Sequence, residues 1–206
     1  ISEYCAENVR FEGKTVLDLG CGIGPLAIYF AKNGAQKVTA CDVLDKHVEL
    51  TKVNALKNEV EVDCFVSNLF SNVQNQYEVI CCDVSGVDKR IAEVTGWFPE
   101  EVPTADESGS NLIIKVVKEA VSYLVPDGEL YVCATSLSDV EDIEAQLTES
   151  FGSNWIRSFE LDIPFSNRLK KNLGLVEKRS YKVISEQYFW QFVLYKATKC
   201  SGRANK

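Results

Sequence analysis

The chain has 206 residues, 46% of them hydrophobic and 25% charged, with a formal net charge of −8. That is chain enough for one globular domain with a sizeable core. It is too apolar for a disordered segment, and no run approaches the roughly 20 apolar residues that span a bilayer.

Charge is unevenly placed. Residues 1–164 hold 12 basic and 28 acidic side chains, whereas residues 165–206 hold 10 basic and 2 acidic ones. Such a split suggests an acidic body with a basic arm or flap. No charged start followed by an apolar stretch and a small-residue cleavage pattern is visible, so no secretory leader is expected.

Short β-like runs alternate with helical patterns. Thr15–Leu19 reads as a strand ending in the turn Gly20-Cys21-Gly22-Ile23-Gly24. Pro25 then opens a helix, where its missing N–H costs little, and Asn33-Gly34 stops it. Lys37–Asp42 is a second strand. Leu44–Lys57 is a helix with Leu44, Val48 and Leu56 expected on one face. Glu61–Val66 and Tyr77–Asp83 read as strands three and four, and residues 84–109 as a long irregular loop. Leu112, Ile113, Val116, Val117, Ala120, Val121 and Leu124 form a helical stripe. After the turn Pro126-Asp127-Gly128, Glu129–Ala134 is strand five. Ser138-x-x-Glu141 is a capping-box pattern for a helix that Phe151-Gly152 closes. Trp155–Ile163 and Tyr188–Tyr195 read as two last strands around the basic segment 165–187.

Strands alternating with helices imply parallel pairing through right-handed crossovers. The expected fold is therefore α/β, a doubly wound, mostly parallel seven-stranded sheet whose last two strands form an antiparallel pair. Ligands of such sheets bind beyond the carboxyl ends of the strands. The turns after Leu19, Asp42, Val66 and Asp83 are thereby nominated.

The 8 cysteines include no Cys-x-x-Cys pair, and the single histidine, His47, is not spaced to complete a zinc set. No metal site is expected. Cys41, Cys64, Cys81, Cys82 and Cys133 lie in apolar runs, where a free thiol packs as a small hydrophobe. Unpaired thiols in this number fit a reducing, cytoplasmic compartment. His47 is expected at the surface of its helix.

The first turn permits close backbone approach to a ligand. Asp42 follows Gly20 by 22 positions, near the roughly 20 expected of a carboxylate that accepts from both hydroxyls of a ribose. A dinucleotide fingerprint would need a third glycine where Pro25 stands, which disfavours a nicotinamide-dependent oxidoreductase. Asp18, two positions before the first glycine, instead suits a ligand with cationic groups.

At this point Val16-Leu-Asp-Leu-Gly-Cys-Gly-Ile-Gly24 resembles the first motif of the class I S-adenosylmethionine-dependent methyltransferases. Cys41-Asp42-Val43, Val66-Ser67-Asn68-Leu69-Phe70 and Val79-Ile-Cys-Cys-Asp83 are similar to the second, third and fourth. Leu124–Leu130 resembles the turn before strand five in that family. The likeness implies S-adenosylmethionine as cofactor, with Gly20, Gly22 and Gly24 passing its methionine part and Asp18 orienting the turn or the amino group. It further implies that Asp42 holds the ribose, Val43 packs on adenine, and Asn68 meets the exocyclic nitrogen, an amide where an acidic residue is common. It implies one domain over residues 1–206: a cofactor-binding core over 10–150 and a C-terminal strand pair with a basic insert over 151–206.

Substrate-side candidates follow strand four, at Asp83 and Ser85. Relatives that methylate planar amines carry Asn/Asp-Pro-Pro-aromatic here; Asp83-Val-Ser-Gly86 matches only the first position. Asp83 could accept a hydrogen bond from the acceptor or act as base, or simply anchor the loop. Trp97-Phe-Pro-Glu-Glu-Val-Pro-Thr104 resembles a Pro-rich lid of the release-factor and small-domain RNA methyltransferase branch. Its aromatics stack on a planar substrate or cover the sheet edge, and Glu100 with Glu101 makes a negative rim. Arg168, Lys170, Lys171, Lys178, Arg179 and Lys182 contact an acidic acceptor, RNA or protein, or else form a solvated face. The expected activity is methyl transfer to a macromolecule. The alternatives are a small-metabolite methyltransferase and a non-catalytic cofactor-binding subunit.

Overall fold

The computed structural model describes residues 2–98, 101–102 and 106–202. Its sheet has eight strands. They are β1 (Thr15–Leu19), β2 (Lys37–Asp42), β3 (Asp63–Val66), β4 (Tyr77–Cys82), β5 (Leu124–Thr135), β6 (Trp155–Pro164), β7 (Lys182–Ile184) and β8 (Gln187–Thr198). The order is β3-β2-β1-β4-β5-β8-β6, with β7 paired to β8. Neighbours from β3 to β5 run parallel. β8 pairs antiparallel with β5, β6 and β7. The α/β expectation holds, with β7 as an added eighth strand. The order reverses between β1 and β4, so two crossovers diverge there and leave a crevice at the strand ends.

The helices are α1 (Ser2–Asn8), α2 (Pro25–Lys32), α3 (Asp45–Lys57), α4 (Lys89–Thr95), α5 (Asn111–Tyr123), α6 (Val140–Phe151) and α7 (Asn167–Lys171). Strand alternation sends Val16 into one hydrophobic cluster with α1, α2 and α4, and Leu17 and Leu19 into another with α5 and α6. Pro25 opens α2 and Asn33 ends it, as the turn chemistry requires. Among the described residues, no helix is long and apolar enough to cross a membrane.

Several local expectations are corrected. On α3 the inward row is Val48, Thr51 and Ala55, whereas Leu56 is 79% exposed. β3 begins at Asp63, because Glu61 and Val62 precede its pairing with β2. The loop over 84–109 contains α4, capped by the Asp88 carboxylate, which accepts from Arg90 N–H, and closed by Gly96 in the left-handed region. The Ser138 capping box does not form. Ser138 Oγ donates to Thr135 O at 2.7 Å, and α6 starts one residue later, after Asp139. Pro126-Asp127-Gly128 is an excursion inside β5, with Asp127 at φ 60°, that shifts the register against β4. α1 is an additional helix outside the expected elements. All 8 cysteines are free; Cys41, Cys81, Cys82 and Cys133 are buried, but Cys64 is only half-buried.

Candidate functional site

Four strand ends converge. After β1, the backbone turns so sharply that Gly20, Gly22 and Gly24 all have positive φ. Gly24 N–H closes the turn on Cys21 O at 2.9 Å, while Gly20 and Cys21 N–H both donate to Cys41 O on β2, at 2.8 and 3.0 Å. A Cβ on Gly24 would lie 2.7 Å from Thr51 Cγ2, so glycine lets α3 pack against the turn. A Cβ on Gly22 would meet nothing within 4 Å and project into open space. That is a backbone left bare for a ligand to approach.

Asp42, at the end of β2, is 8% exposed. Its Oδ2 accepts from Gly22 N–H at 2.9 Å and its Oδ1 from Leu44 N–H at 2.9 Å. His47 Nδ1 lies 3.3 Å from the same Oδ1. His47 is therefore not the surface residue expected, because the first turn of α3 aims it back over the strand ends. Asp18 is 1% exposed; its Oδ2 accepts from Ala27 N–H at 2.9 Å, which ties β1 to the start of α2. Its Oδ1 has no partner among the described residues. Burial pushes the Asp18 carboxyl up to about 8.

Gly20, Gly22, Asp42, Leu44 and His47 line a cavity of about 240 Å³. Val43, 39% exposed, offers an apolar surface to it, and exposed Asn68 stands at its edge after β3. The far wall is Asp83, Val84 and Ser85, after β4. Ser85 is 7% exposed, yet its Oγ has no partner among the described residues. An unpartnered buried hydroxyl on a cavity-lining residue is a candidate for a ligand hydrogen bond. The arrangement brings together Gly20, Gly22, Asp42, Val43, Asn68, Asp83 and Ser85; Asp18 and Gly24 stand behind, shaping the turn.

A second cavity of about 300 Å³ adjoins the first and shares Asp83, Val84 and Phe98 with it. Trp97, Trp190 and Phe192 add aromatic walls, and Thr135 and Cys133 lie at its β5 side. Asp83 stands between the two chambers. Ser2 Oγ donates to its Oδ2 at 3.3 Å, and burial pushes the carboxyl up to about 6.

Sequence reading missed His47, Trp190 and Ser2. A period-two pattern put Trp190 on a strand but gave no neighbour, and only the β5–β8 pairing brings it to the site. Within the lid segment, Pro99, Glu100, Pro103 and Thr104 lie outside the described residues. Glu101 pairs with Lys46 at 3.4 Å.

Part of the basic segment is neutralised internally. Lys182 pairs with Asp162 at 2.9 Å, and Arg179 with Glu177 and Glu141 at 2.7 and 3.2 Å. Arg168 Nη1 donates to Thr95 O at 2.9 Å, docking α7 on the end of α4.

Residues 3–83 match the family model described as methyltransferase small domain. The chain is 37% identical to ribosomal protein L11 methyltransferase of Thermotoga maritima over 114 residues, 55% of this chain and 41% of that protein. It is 30% identical to ribosomal RNA small subunit methyltransferase C of Escherichia coli over 138 residues, 66% of this chain and 35% of that protein. The chain thus spans less than half the length of these curated relatives. A 16S rRNA methyltransferase of T. thermophilus, solved with AdoMet and guanosine, superposes with a TM-score of 0.60 at 17% identity, covering 96% of this chain and 42% of that one.

Proposed function

We propose that this chain, which carries the methyltransferase small domain on a class I methyltransferase fold, is an S-adenosylmethionine-dependent methyltransferase acting on RNA or protein. The observation that carries the reading is the position of Asp83 between two adjoining cavities, one beside the glycine turn and Asp42, the other lined by aromatic rings. When bound, S-adenosylmethionine supplies an electrophilic methyl group on a cationic sulfonium. The chain's own work is orientation and proton acceptance.

In this reading, Gly20 and Gly22 let the backbone approach the methionine portion, and Gly24 and Asp18 hold the turn in shape. Asp42 retains lone pairs beyond its backbone bonds and accepts from the ribose hydroxyls. Val43 packs on adenine and Asn68 hydrogen-bonds its edge. Ser85 Oγ, lacking any partner among the described residues, completes a hydrogen bond to a bound ligand. Asp83 accepts a hydrogen bond from the acceptor and takes its proton at a carboxylate oxygen. A carboxyl raised to about 6 is a better base than an unperturbed one and is still ionised at neutral pH.

Residues 1–206 act as one domain, supported by both hydrophobic clusters resting on one sheet. The free cysteines support a reducing compartment such as the cytoplasm.

The test is incubation of the protein with labelled S-adenosylmethionine and a cell extract. Label in RNA or protein supports the reading. Label confined to small molecules replaces it with metabolite methylation, and no label anywhere leaves a non-catalytic binding subunit.

A further inference from the structure

The second cavity has a composition of its own. Trp97 and Trp190 touch, with ring centroids 5.6 Å apart and planes tilted by 43°, so they form one continuous wall. Phe192 is fully buried at its base, and Phe98 separates it from the first chamber. Its polar groups are largely spent. Thr135 Oγ1 donates to Gly86 O at 2.9 Å, and Cys133 Sγ donates to Cys5 Sγ at 3.6 Å. Among the described residues the Asp83 carboxylate, with one weak bond from Ser2, is the side-chain acceptor left with capacity. No Lys or Arg lines the cavity among the described residues, so it does not receive a phosphate.

Positive charge lies just outside. α7 docks on the end of α4, directly before Trp97, through Arg168 and Thr95. Exposed Lys170 and Lys171 on α7 make no ion pair among the described residues.

An aromatic wall, a single acceptor and an external cationic helix match one ligand chemistry. Bases taken out of a stack are held on aromatic faces and read along one edge, while the phosphates stay on basic residues at the mouth. A lysine-type ammonium would meet the same rings and carboxylate, but the unpaired Lys170 and Lys171 outside would repel it.

Resting on the methyltransferase reading above, we infer that the second cavity seats an unstacked nucleobase of an RNA acceptor against Trp97 and Trp190, with a base N–H directed to Asp83. Trp190, far along the chain from the motifs, is then a specificity-determining residue.

The test needs no turnover. With S-adenosylhomocysteine saturating the first chamber, the four ribonucleosides and the blocked amides of lysine and glutamine are each assayed for binding by saturation-transfer NMR. At least one nucleoside is expected to bind, and Trp97→Leu and Trp190→Leu each to weaken it at least about fivefold. S-adenosylhomocysteine affinity, measured by calorimetry, stays within about twofold of wild type in both variants; Trp97, half-buried, is the informative one if Trp190→Leu fails to fold. Binding of an amino-acid amide but no nucleoside, no binding of any probe, or nucleoside binding that survives both substitutions overturns the inference. Retained S-adenosylhomocysteine binding in any of these cases leaves the methyltransferase reading standing.

Discussion

Gly22 and Asp42 are joined across the site: the Gly22 N–H donates to Asp42 Oδ2 at 2.9 Å. The end of β2 thereby fixes the shape of the turn after β1, and in the proposed function the same carboxylate also serves the ligand. Asp42→Ala is expected to weaken S-adenosylhomocysteine binding at least tenfold, the scale of about 1.5–3 kcal/mol for hydrogen bonds to a charged group. Unchanged affinity by titration calorimetry removes its ribose role.

Two neighbouring glycines separate fold from binding. Gly24 has φ +85° and a Cβ there would strike Thr51 at 2.7 Å, whereas Gly22 has φ +56° and faces open space. Gly24→Ala carries a left-handed penalty of about 1–2 kcal/mol plus a clash, and its main effect is a lowered Tm. Gly22→Ala carries the backbone penalty but also crowds the cavity, so its loss of S-adenosylhomocysteine affinity is expected to exceed that of Gly24→Ala. Thermal melts and calorimetry on both variants check the ordering.

Asp18 links stability to pH. Its folded-state carboxyl is raised to about 8 by burial, above an unfolded value of about 3.9. Between those values the native state holds a proton that the unfolded state has released. The stabilisation is therefore complete below about pH 4 and is lost as pH rises towards 8, with a slope of at most about 1.4 kcal/mol per pH unit. Asp18→Asn is expected to flatten this part of the stability profile. Denaturant unfolding from pH 5 to pH 8 measures it, and parallel wild-type and variant curves would remove Asp18 as the cause.

Asp83 links turnover to pH in the opposite sense. In the proposed function the carboxylate is the active form, so methyl transfer is expected to rise as pH passes about 6 and then level off. Asp83→Asn is expected to lose about a hundredfold or more in turnover while binding S-adenosylhomocysteine as wild type does. Transfer that survives the substitution would show that Asp83 only positions the loop.

What was legible in the sequence was what local chemistry determines. The glycine turn, Pro25 and the strand-end carboxylates Asp42 and Asp83 follow from backbone geometry and the strand-end rule, and Gly20, Gly22, Asp42 and Asp83 fall around one cavity. Long-range pairing was not legible. Trp190 reaches the second cavity only because β8 inserts beside β5, and Leu56 stays exposed because the helix turns Val48, Thr51 and Ala55 inward instead. α4 was readable in principle from Asp88 and Gly96, but the glycines and prolines around it masked a helix of only 7 residues. The basic segment was legible as a run of charge but not in its pairing: apart from Glu177, its acidic partners Asp162, Asp139 and Glu141 lie outside the segment and are matched to it only by folding.

The most direct measurement is a calorimetric titration of the wild-type protein with S-adenosylhomocysteine, paired with thermal melts in the same compound and in NAD. The account predicts binding at one site per chain, stabilisation of about 2.7 kcal/mol at a hundredfold excess over Kd, and no shift with NAD. No heat and no rise in Tm with S-adenosylhomocysteine at millimolar concentration would contradict it.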